Sequence, residues 1–332
     1  MQFFRFKSLL FLVFLFIGRG SIAQEVEQLS FFEPAPSFHP KRFWISLGTG
    51  ATLYTGAVIG LNEIWYADFP RSSFQLFNDW GEWQDMDKAG HFFTTYMESN
   101  WIFGGARWVG LERRKAMWTA VGMASLFQAT IEVMDGFSEK WGFSIPDITF
   151  NTAGALAFVG QEMLWQEQRI IFKVSSYHSP YPDDPIISVD GNSVTTLRQR
   201  ANSLYGGGAA ASFLKDYNAQ TLWASVNVHA FLNNKESKFP KWLNLAVGYG
   251  AENMYGGFEN RWEEDGASYI LDSDLYPRYR QFYLSLDIDL TRIKTKNRFL
   301  KTLFSAINII KIPAPALEIN TLGKVKFHPV FF

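Results

Sequence analysis

Cysteine is absent from this 332-residue sequence. The absence excludes disulfide bonds, and it also excludes lipid attachment through an N-terminal cysteine. Net charge is also nearly absent, since 31 Lys and Arg almost balance 32 Asp and Glu to give −1. Without a basic excess to neutralise phosphates, we expect no nucleic acid among the partners.

Several familiar catalytic motifs are missing as well. The His-Glu-x-x-His motif of zinc proteases does not occur, and the five histidines are spread along the chain. Gly-x-Ser-x-Gly is missing too. The three glycines Gly206–Gly208 lack the Gly-Lys-Thr continuation of a phosphate-binding loop. The sequence therefore predicts no particular cofactor, and it leaves the identity of any metal open.

Aromatic residues are abundant, at 17% of the chain, with 12 Trp and 32 Phe. Such rings are enriched at membrane–water interfaces, where an apolar body and a polar edge are both accommodated. A large soluble core would also hold them. The composition is therefore compatible with membrane association without requiring it.

The first 23 residues have the three parts of a cleavable signal peptide. A short basic head precedes the apolar run Leu9–Ile17, and small residues at Ser21 and Ala23 form the expected cleavage site. We therefore predict export to the cell envelope, with Gln24 as the first residue of the mature chain. An uncleaved anchor helix is the alternative, which Arg19 just after the apolar run favours.

A helical domain is predicted over residues 43–170, after a polar lead-in at 24–42. Its first segment has no charged residue and is long enough to cross a bilayer, although its glycines and threonines also suit a helix buried in a soluble bundle. Short loops between the helices predict an antiparallel, membrane-associated bundle. The predicted helices are Trp44–Asn62, Asp87–Arg107, Ala116–Met134 and Ile145–Glu167.

The pattern changes to period two in the C-terminal part. A proline-bearing linker or long loop at 171–203 leads into a predicted antiparallel β-rich domain at 204–332, so the fold class is α+β. The alternation fits either a barrel-like form with aromatic ends or a two-layer soluble sheet. The predicted elements are strands at Leu222–Val228, Leu243–Tyr249, Phe282–Leu290 and Val325–Phe332, and a short helix at Phe299–Ile310.

Polar side chains gather at three predicted helix ends. Asp87 and His91 are four residues apart at the start of the second helix, so they share one face. Antiparallel helices would bring these ends together, and we expect Glu132 within hydrogen-bond or one-water reach of His91 or Asp147. The candidate catalytic residues are Asp87, His91, Glu132 and Asp147, and the supporting residues are Lys88, Asp135, Ser144 and Asn151.

Most members of this cluster also have a purely structural explanation. Asp87 favours a helix N-terminus, and Ser144 with Asp147 forms a capping box. His91 on its own is more often a hydrogen-bonded core residue than a ligand. Glu132 fits a structural role least well, because a carboxylate after a long apolar run has to be paired or used. A shared functional site and a polar clamp of helix ends are both open interpretations.

Three motifs of this region resemble the YfiM-like family, domain of unknown function 2279. They are Asp-Lys-x-x-His-Phe at 87–92, Glu-x-x-Asp-Gly at 132–136 and Ser-x-x-Asp-x-x-x-Asn-x-x-Gly at 144–154. The resemblance extends over roughly 44–165, and a looser one joins the pattern to VanZ-like membrane proteins. It implies an envelope location and no established activity. Short members look like lipoproteins, from which this chain departs because it has no cysteine.

Three functions follow from these observations. The first is a structural or interaction role at a membrane of the bacterial cell envelope. The second is a membrane-edge enzyme or lipid-binding protein that uses the Asp/His/Glu/Asp cluster, and the third is a conduit for small solutes. Membrane lipids or envelope components are the expected partners. We expect an exported protein, with the outer membrane favoured over the inner membrane and the soluble periplasm.

Overall fold

The computed structural model describes residues 30–66, 69–177, 181–206, 213–232 and 237–332. The predicted signal peptide and its cleavage site before Gln24 lie outside these described residues. The prediction of processing therefore stays a prediction.

Four long helices occupy the N-terminal half, close to the predicted positions. Local sequence explains two of their boundaries. Ser144 accepts a hydrogen bond from the backbone N–H of Asp147 and caps the fourth helix, with Pro146 in the first turn. Gly110 ends the second helix at φ 93°, where glycine is favoured. The helices are α1 at Pro40–Leu61, α2 at Met86–Val109, α3 at Arg113–Gly136 and α4 at Ile145–Leu164.

Helices α2, α3 and α4 pack around a shared apolar cluster that includes Tyr96, Met117 and Phe158. Helices α2 and α4 approach each other closely at Gly154, where a Cβ atom would collide with the carbonyl oxygen of Phe92. None of the helices in the described residues combines the length and apolarity needed to cross a membrane.

The largest sheet has six antiparallel strands in the order β12-β11-β10-β7-β6-β3. These are β3 at Ile170–Ser176, β6 at Gln220–Val226, β7 at Leu243–Glu252, β10 at Tyr279–Ile288, β11 at Ala314–Asn320 and β12 at Val325–Phe331. The sheet is open, because β3 and β12 do not pair with each other within the described residues. Within the described residues the barrel-like form that the sequence also allowed is therefore not confirmed.

Shorter elements complete the described fold. Residues 171–203, predicted as a linker, contain most of β3, a two-stranded hairpin and the start of a helix. The small strands are β1 at Leu76–Phe77 with β2 at Phe143–Ser144, β4 at Pro185–Ile187 with β5 at Val194–Thr196, and β8 at Arg261–Glu264 with β9 at Ala267–Ile270. The remaining helices are α5 at Leu197–Tyr205, α6 at Val228–Phe231 and α7 at Arg298–Ile307.

The helices and the large sheet share packing contacts. Phe93 of α2 packs against Val174 of β3 and Leu222 of β6. The N-terminal end of α2 also contacts the strand region, since Met86 clusters with Ala251 and Met254. The helical part and the strand-rich part therefore support each other around α2, which also carries the candidate site.

Candidate functional site

Lys88 lies at the centre of the polar cluster and is fully buried. Its Nζ atom is 2.6 Å from Asp79 Oδ2, 2.9 Å from Asp87 Oδ2 and 2.6 Å from Asp147 Oδ1. Burial lowers the pKa of Lys88, but Asp87 and Asp147 raise it overall to well above its usual value. The lysine is therefore a permanent cation that binds together α2, the start of α4 and the turn before α2.

His91 lies one turn further along α2 and has different neighbours at its two ring nitrogens. Its Nδ1 atom is 3.2 Å from Asn151 Oδ1 and 3.5 Å from Glu132 Oε1. Its Nε2 atom is 3.8 Å from Asp87 Oδ1 and 3.6 Å from Asp147 Oδ2. An N–H at Nδ1 directed to Asn151 would leave a lone pair on Nε2, facing two carboxylate oxygens. Such a lone pair requires a proton or a cation between it and those oxygens.

Glu132 is fully buried at the end of α3. Its Oε2 atom accepts a hydrogen bond of 3.4 Å from the backbone N–H of Ser144, while Oε1 has no hydrogen-bond partner among the described residues. The 3.5 Å separation of Oε1 from His91 Nδ1 agrees with the proximity that the sequence predicted. Glu132 therefore helps to hold the imidazole ring from the side opposite to Asp87 and Asp147.

The structure brings together seven of the eight predicted site residues through hydrogen bonds and ion pairs. The eighth, Asp135, accepts a hydrogen bond of 2.7 Å from the Tyr66 hydroxyl, and no hydrogen bond or ion pair among the described residues joins it to His91, although their charges interact. Ser144 contributes twice, since its hydroxyl caps α4 and donates to Asp79 Oδ1 at 2.6 Å. Only half of the predicted capping box is present, because the Ser144 backbone N–H donates to Glu132 Oε2 and not to Asp147. The Ser144 cap is tied into the cluster through Asp79.

Two further members of the cluster had no signal in the sequence. Asp79 lies in a turn-rich stretch before α2, where an aspartate is ordinary. Tyr217 is 130 residues from its partner, and its hydroxyl donates to Asp87 Oδ1 at 2.7 Å. Only the tertiary packing of the strand region against α2 places this tyrosine at the site.

The carboxylates of the site differ in the direction of their pKa shifts: one pKa is lowered and two are raised. Burial raises the pKa of Asp87, but His91 and Lys88 outweigh it and lower that pKa to about 2. Burial and the charge of Asp87 raise the pKa of Asp147 to about 8, against the opposing effects of His91 and Lys88. Burial also raises the pKa of Glu132 to about 6. Burial lowers the pKa of His91, but the three carboxylates raise it overall. The site therefore has more carboxylate groups than Lys88 and His91 can neutralise.

The same arrangement could hold a metal ion. One ligand atom each from Asp87, His91 and Asp147 lies within 4.8 Å of the other two. Oxygen and imidazole ligands of this kind suit several divalent ions, including Mn²⁺ and Zn²⁺. The contact of His91 Nδ1 with Asn151 is the kind of outer contact that orients a ligating histidine.

Comparison with known proteins identifies the region that carries the site. Residues 76–160 match the family described as "Predicted periplasmic lipoprotein (DUF2279)". Residues 76–160 are thus similar to DUF2279 proteins. The match covers about a quarter of the chain and includes every residue of the cluster except Tyr217. The predicted family resemblance is therefore confirmed, whereas the looser resemblance to VanZ-like proteins stays a prediction. No curated protein and no solved structure matches the chain.

Proposed function

We propose that the region similar to DUF2279 proteins is a metal-dependent hydrolytic site of the bacterial cell envelope, with Asp87, His91 and Asp147 as the metal ligands. The envelope location is supported by the family description, which names a periplasmic lipoprotein. The metal site is supported by the convergence of two carboxylate oxygens on the Nε2 atom of one histidine.

The convergence at Nε2 is the observation that carries the proposal. Each ligand has a second polar atom that is already engaged. The other oxygens of Asp87 and Asp147 contact Lys88, and the Nδ1 atom of His91 faces Asn151. The ligands are thus oriented by outer partners, and the atoms proposed to share one cation are His91 Nε2, Asp147 Oδ2 and Asp87 Oδ1, of which Asp87 Oδ1 also accepts from Tyr217. The His91 side chain is 15% exposed and that of Asp87 is 21% exposed, so the group is reachable from outside.

A divalent ion held there would polarise a phosphoryl oxygen and lower the pKa of a bound water. Because the apo cluster carries excess carboxylate, it would repel an anionic substrate without that ion. We therefore propose a phosphate ester of an envelope molecule as the substrate class. In this account Lys88 keeps both aspartates in place, and Asn151 and Glu132 fix the orientation of the His91 ring.

Calorimetric titration of the purified mature chain with Mn²⁺ tests the proposal, together with hydrolysis of a generic nitrophenyl phosphodiester. We expect one ion per chain and a Mn²⁺-dependent rate. His91→Gln should lose both. His229→Gln serves as a histidine-matched control, because His229 lies in α6 and no hydrogen bond or ion pair among the described residues joins it to the cluster. Equal Mn²⁺ binding by wild type and His91→Gln would refute the metal site.

A structural clamp is the second candidate, and the burial of Lys88 among three carboxylates favours it. In that case the cluster ties α2 to α4 and does no chemistry. The two candidates differ in one variant, since His91→Gln leaves the Lys88 ion pairs intact. A clamp predicts little functional loss in cells that carry His91→Gln at normal abundance, whereas the metal site predicts complete loss.

A further inference from the structure

The outward faces of α3 and α4 lack charge. Among the exposed side chains of α3 between Trp118 and Val133 there is no charged residue, and large apolar groups such as Leu126 are exposed. On α4, exposed positions from Ile145 to Leu164 are likewise uncharged. Helix faces in contact with water normally carry polar and charged residues, with the apolar stripe turned inward. The outer surfaces of these two helices are therefore more apolar than is usual for helices in contact with water.

The large sheet also exposes apolar side chains on one of its faces. In β10, Leu284 is paired with Val247 of β7 and Leu317 of β11 in one cross-strand row. These three side chains are 39–52% exposed. The alternate positions of the same strands are buried and hold many polar residues beside the apolar cluster of Ala246, Tyr283 and Ala316. The buried polar residues include Asn244, Gln281, Ser285, Asp287 and Glu318. A sheet with one face in water usually has the reverse arrangement.

Helix α2 covers part of this apolar sheet face, where Phe93 meets Val174 of β3 and Leu222 of β6. Over β7, β10 and β11 the face continues with large apolar side chains that stay exposed. We call the exposed apolar side chains of α3, α4, β7, β10 and β11 the outer apolar surface. Large apolar side chains exposed on this many elements mark an interaction site.

Contacts between element ends place several termini on one side of the molecule. Arg42 at the start of α1 donates to the carbonyl oxygen of Trp108 at the end of α2, and Arg113 of α3 pairs with Glu162 near the end of α4. The segment that follows β10 joins the same side, because Arg292 pairs with Glu167. The site cluster is at the other side, where α2 and α4 begin and α3 ends.

The side away from the cluster is basic. Six exposed lysines and arginines there make no ion pair with a described residue, and we call them the basic end: Lys41, Arg114, Lys241, Lys294, Lys296 and Lys301. Helix α7 lies among them and exposes Phe299, Leu303 and Ile307 as one stripe at four-residue spacing. Such a stripe flanked by lysines is typical of a helix at a lipid–water interface.

We infer that the outer apolar surface contacts the acyl chains of a phospholipid bilayer, with the basic end at anionic headgroups. A protein partner would cover one face, but here helices and sheet both expose apolar surface. A lipid surface can contact both sets of elements at once without any described helix crossing the bilayer. The positive charge at one end complements anionic headgroups, which attract lysines by about 1 kcal/mol each. The inference does not depend on the proposed metal site.

Site-specific labelling tests the inference, and the cysteine-free sequence makes it simple. Leu284→Cys on the sheet and Leu126→Cys on α3 each receive one fluorescent label, and Ser268→Cys on β9 is the matched exposed control. The mature chains are reconstituted with vesicles of phosphatidylethanolamine and phosphatidylglycerol. We expect acyl-chain nitroxides to quench the labels at 284 and 126, with iodide in the water quenching only the label at 268.

The basic end is tested by flotation with the same vesicles. Lys294→Gln combined with Lys296→Gln should weaken partition about fivefold per lysine, and only when phosphatidylglycerol is present. Circular dichroism confirms that each variant is folded. Iodide quenching of the labels at 284 and 126 in the presence of vesicles would overturn the inference. Concentration-dependent protection of those labels without lipid would also overturn it, because a second copy would then be the occupant.

Discussion

Lys88 shows how a single residue sets the state of the site. Its ammonium group has no contact with water and is balanced by three carboxylates from three segments of the chain. Ion pairs of this kind are costly to break, because removal of one partner leaves buried charges without compensation. The residue therefore decides whether Asp87 and Asp147 can stay close together.

We predict that Lys88→Met destabilises the protein by about 3–5 kcal/mol, since it leaves buried carboxylates unpaired. The free energy of unfolding measured by denaturant titration checks this value. Lys241→Met is the control, because Lys241 is exposed and makes no ion pair with a described residue. If Lys88→Met lowers the free energy of unfolding no more than Lys241→Met does, the buried carboxylates do not need Lys88 and the prediction is wrong.

A second buried lysine, Lys311, predicts how the stability of the protein changes with pH. Lys311 is fully buried over the Trp223 ring, and burial lowers its pKa from 10.5 to about 8 despite the attraction of Asp287. Between pH 8 and 10.5 the unfolded chain holds this proton and the folded chain does not. Stability contributed by this group therefore rises as pH rises through that window.

The expected result is that wild type gains stability relative to Lys311→Met as pH rises from about 8 to 10. Unfolding free energies of both proteins at several pH values measure the difference. Lys301→Met, a substitution of an exposed lysine in α7, should show no such trend. A difference that shrinks or stays constant with rising pH would contradict the lowered pKa of Lys311.

Spacing along helices made part of the site predictable from sequence. Asp87 and His91 are four residues apart, and Ser144 with Asp147 follows a capping pattern. Glu132 was predictable because an unpaired carboxylate after a long apolar run is costly in free energy, so it has to be paired or used. Tyr217 was not, because its place depends on packing between segments 130 residues apart.

At the scale of elements, the contact between α2 and α4 fixes the distance between His91 and Asp147. Gly154 allows that contact, because any side chain there would meet the backbone of Phe92. Gly160, in the same helix, has open space around its Cβ position. The two glycines thus form a matched pair for testing the packing.

We predict that Gly154→Ala destabilises the protein by about 1–3 kcal/mol through overpacking. Gly160→Ala should be neutral or stabilising by about 0.5–1 kcal/mol, because alanine is the better helix former. Thermal unfolding of both variants gives the comparison. If the two substitutions have the same effect, the close approach of α2 and α4 is not what positions the site.

The helices and most long strands followed their sequence patterns, while β3 did not. Residues Ile170–Ser176 lack a clean alternation because both faces of this strand are largely buried, including the fully buried Lys173. The proline-rich stretch after it then suggested a linker. Strands β7 and β10, which have one buried and one exposed face, kept the period-two signal. The sequence could not show that the face with more polar residues is the buried one.

At the scale of the whole molecule, a bound ion should stabilise the fold that creates its site. Ligands that bind only the folded chain add about 2.7 kcal/mol at a concentration one hundred times Kd. We predict that Mn²⁺ raises the Tm of wild type and of His229→Gln, but not of His91→Gln. An equal rise in all three proteins would mean that the ion binds elsewhere.

The central claim is that Asp87, His91 and Asp147 share one metal ion. Anomalous diffraction from crystals of the mature chain soaked in Mn²⁺ tests it most directly. The account predicts one strong peak about 2.2 Å from Asp87 Oδ1, His91 Nε2 and Asp147 Oδ2. An empty position between these three atoms at saturating Mn²⁺ would contradict the account.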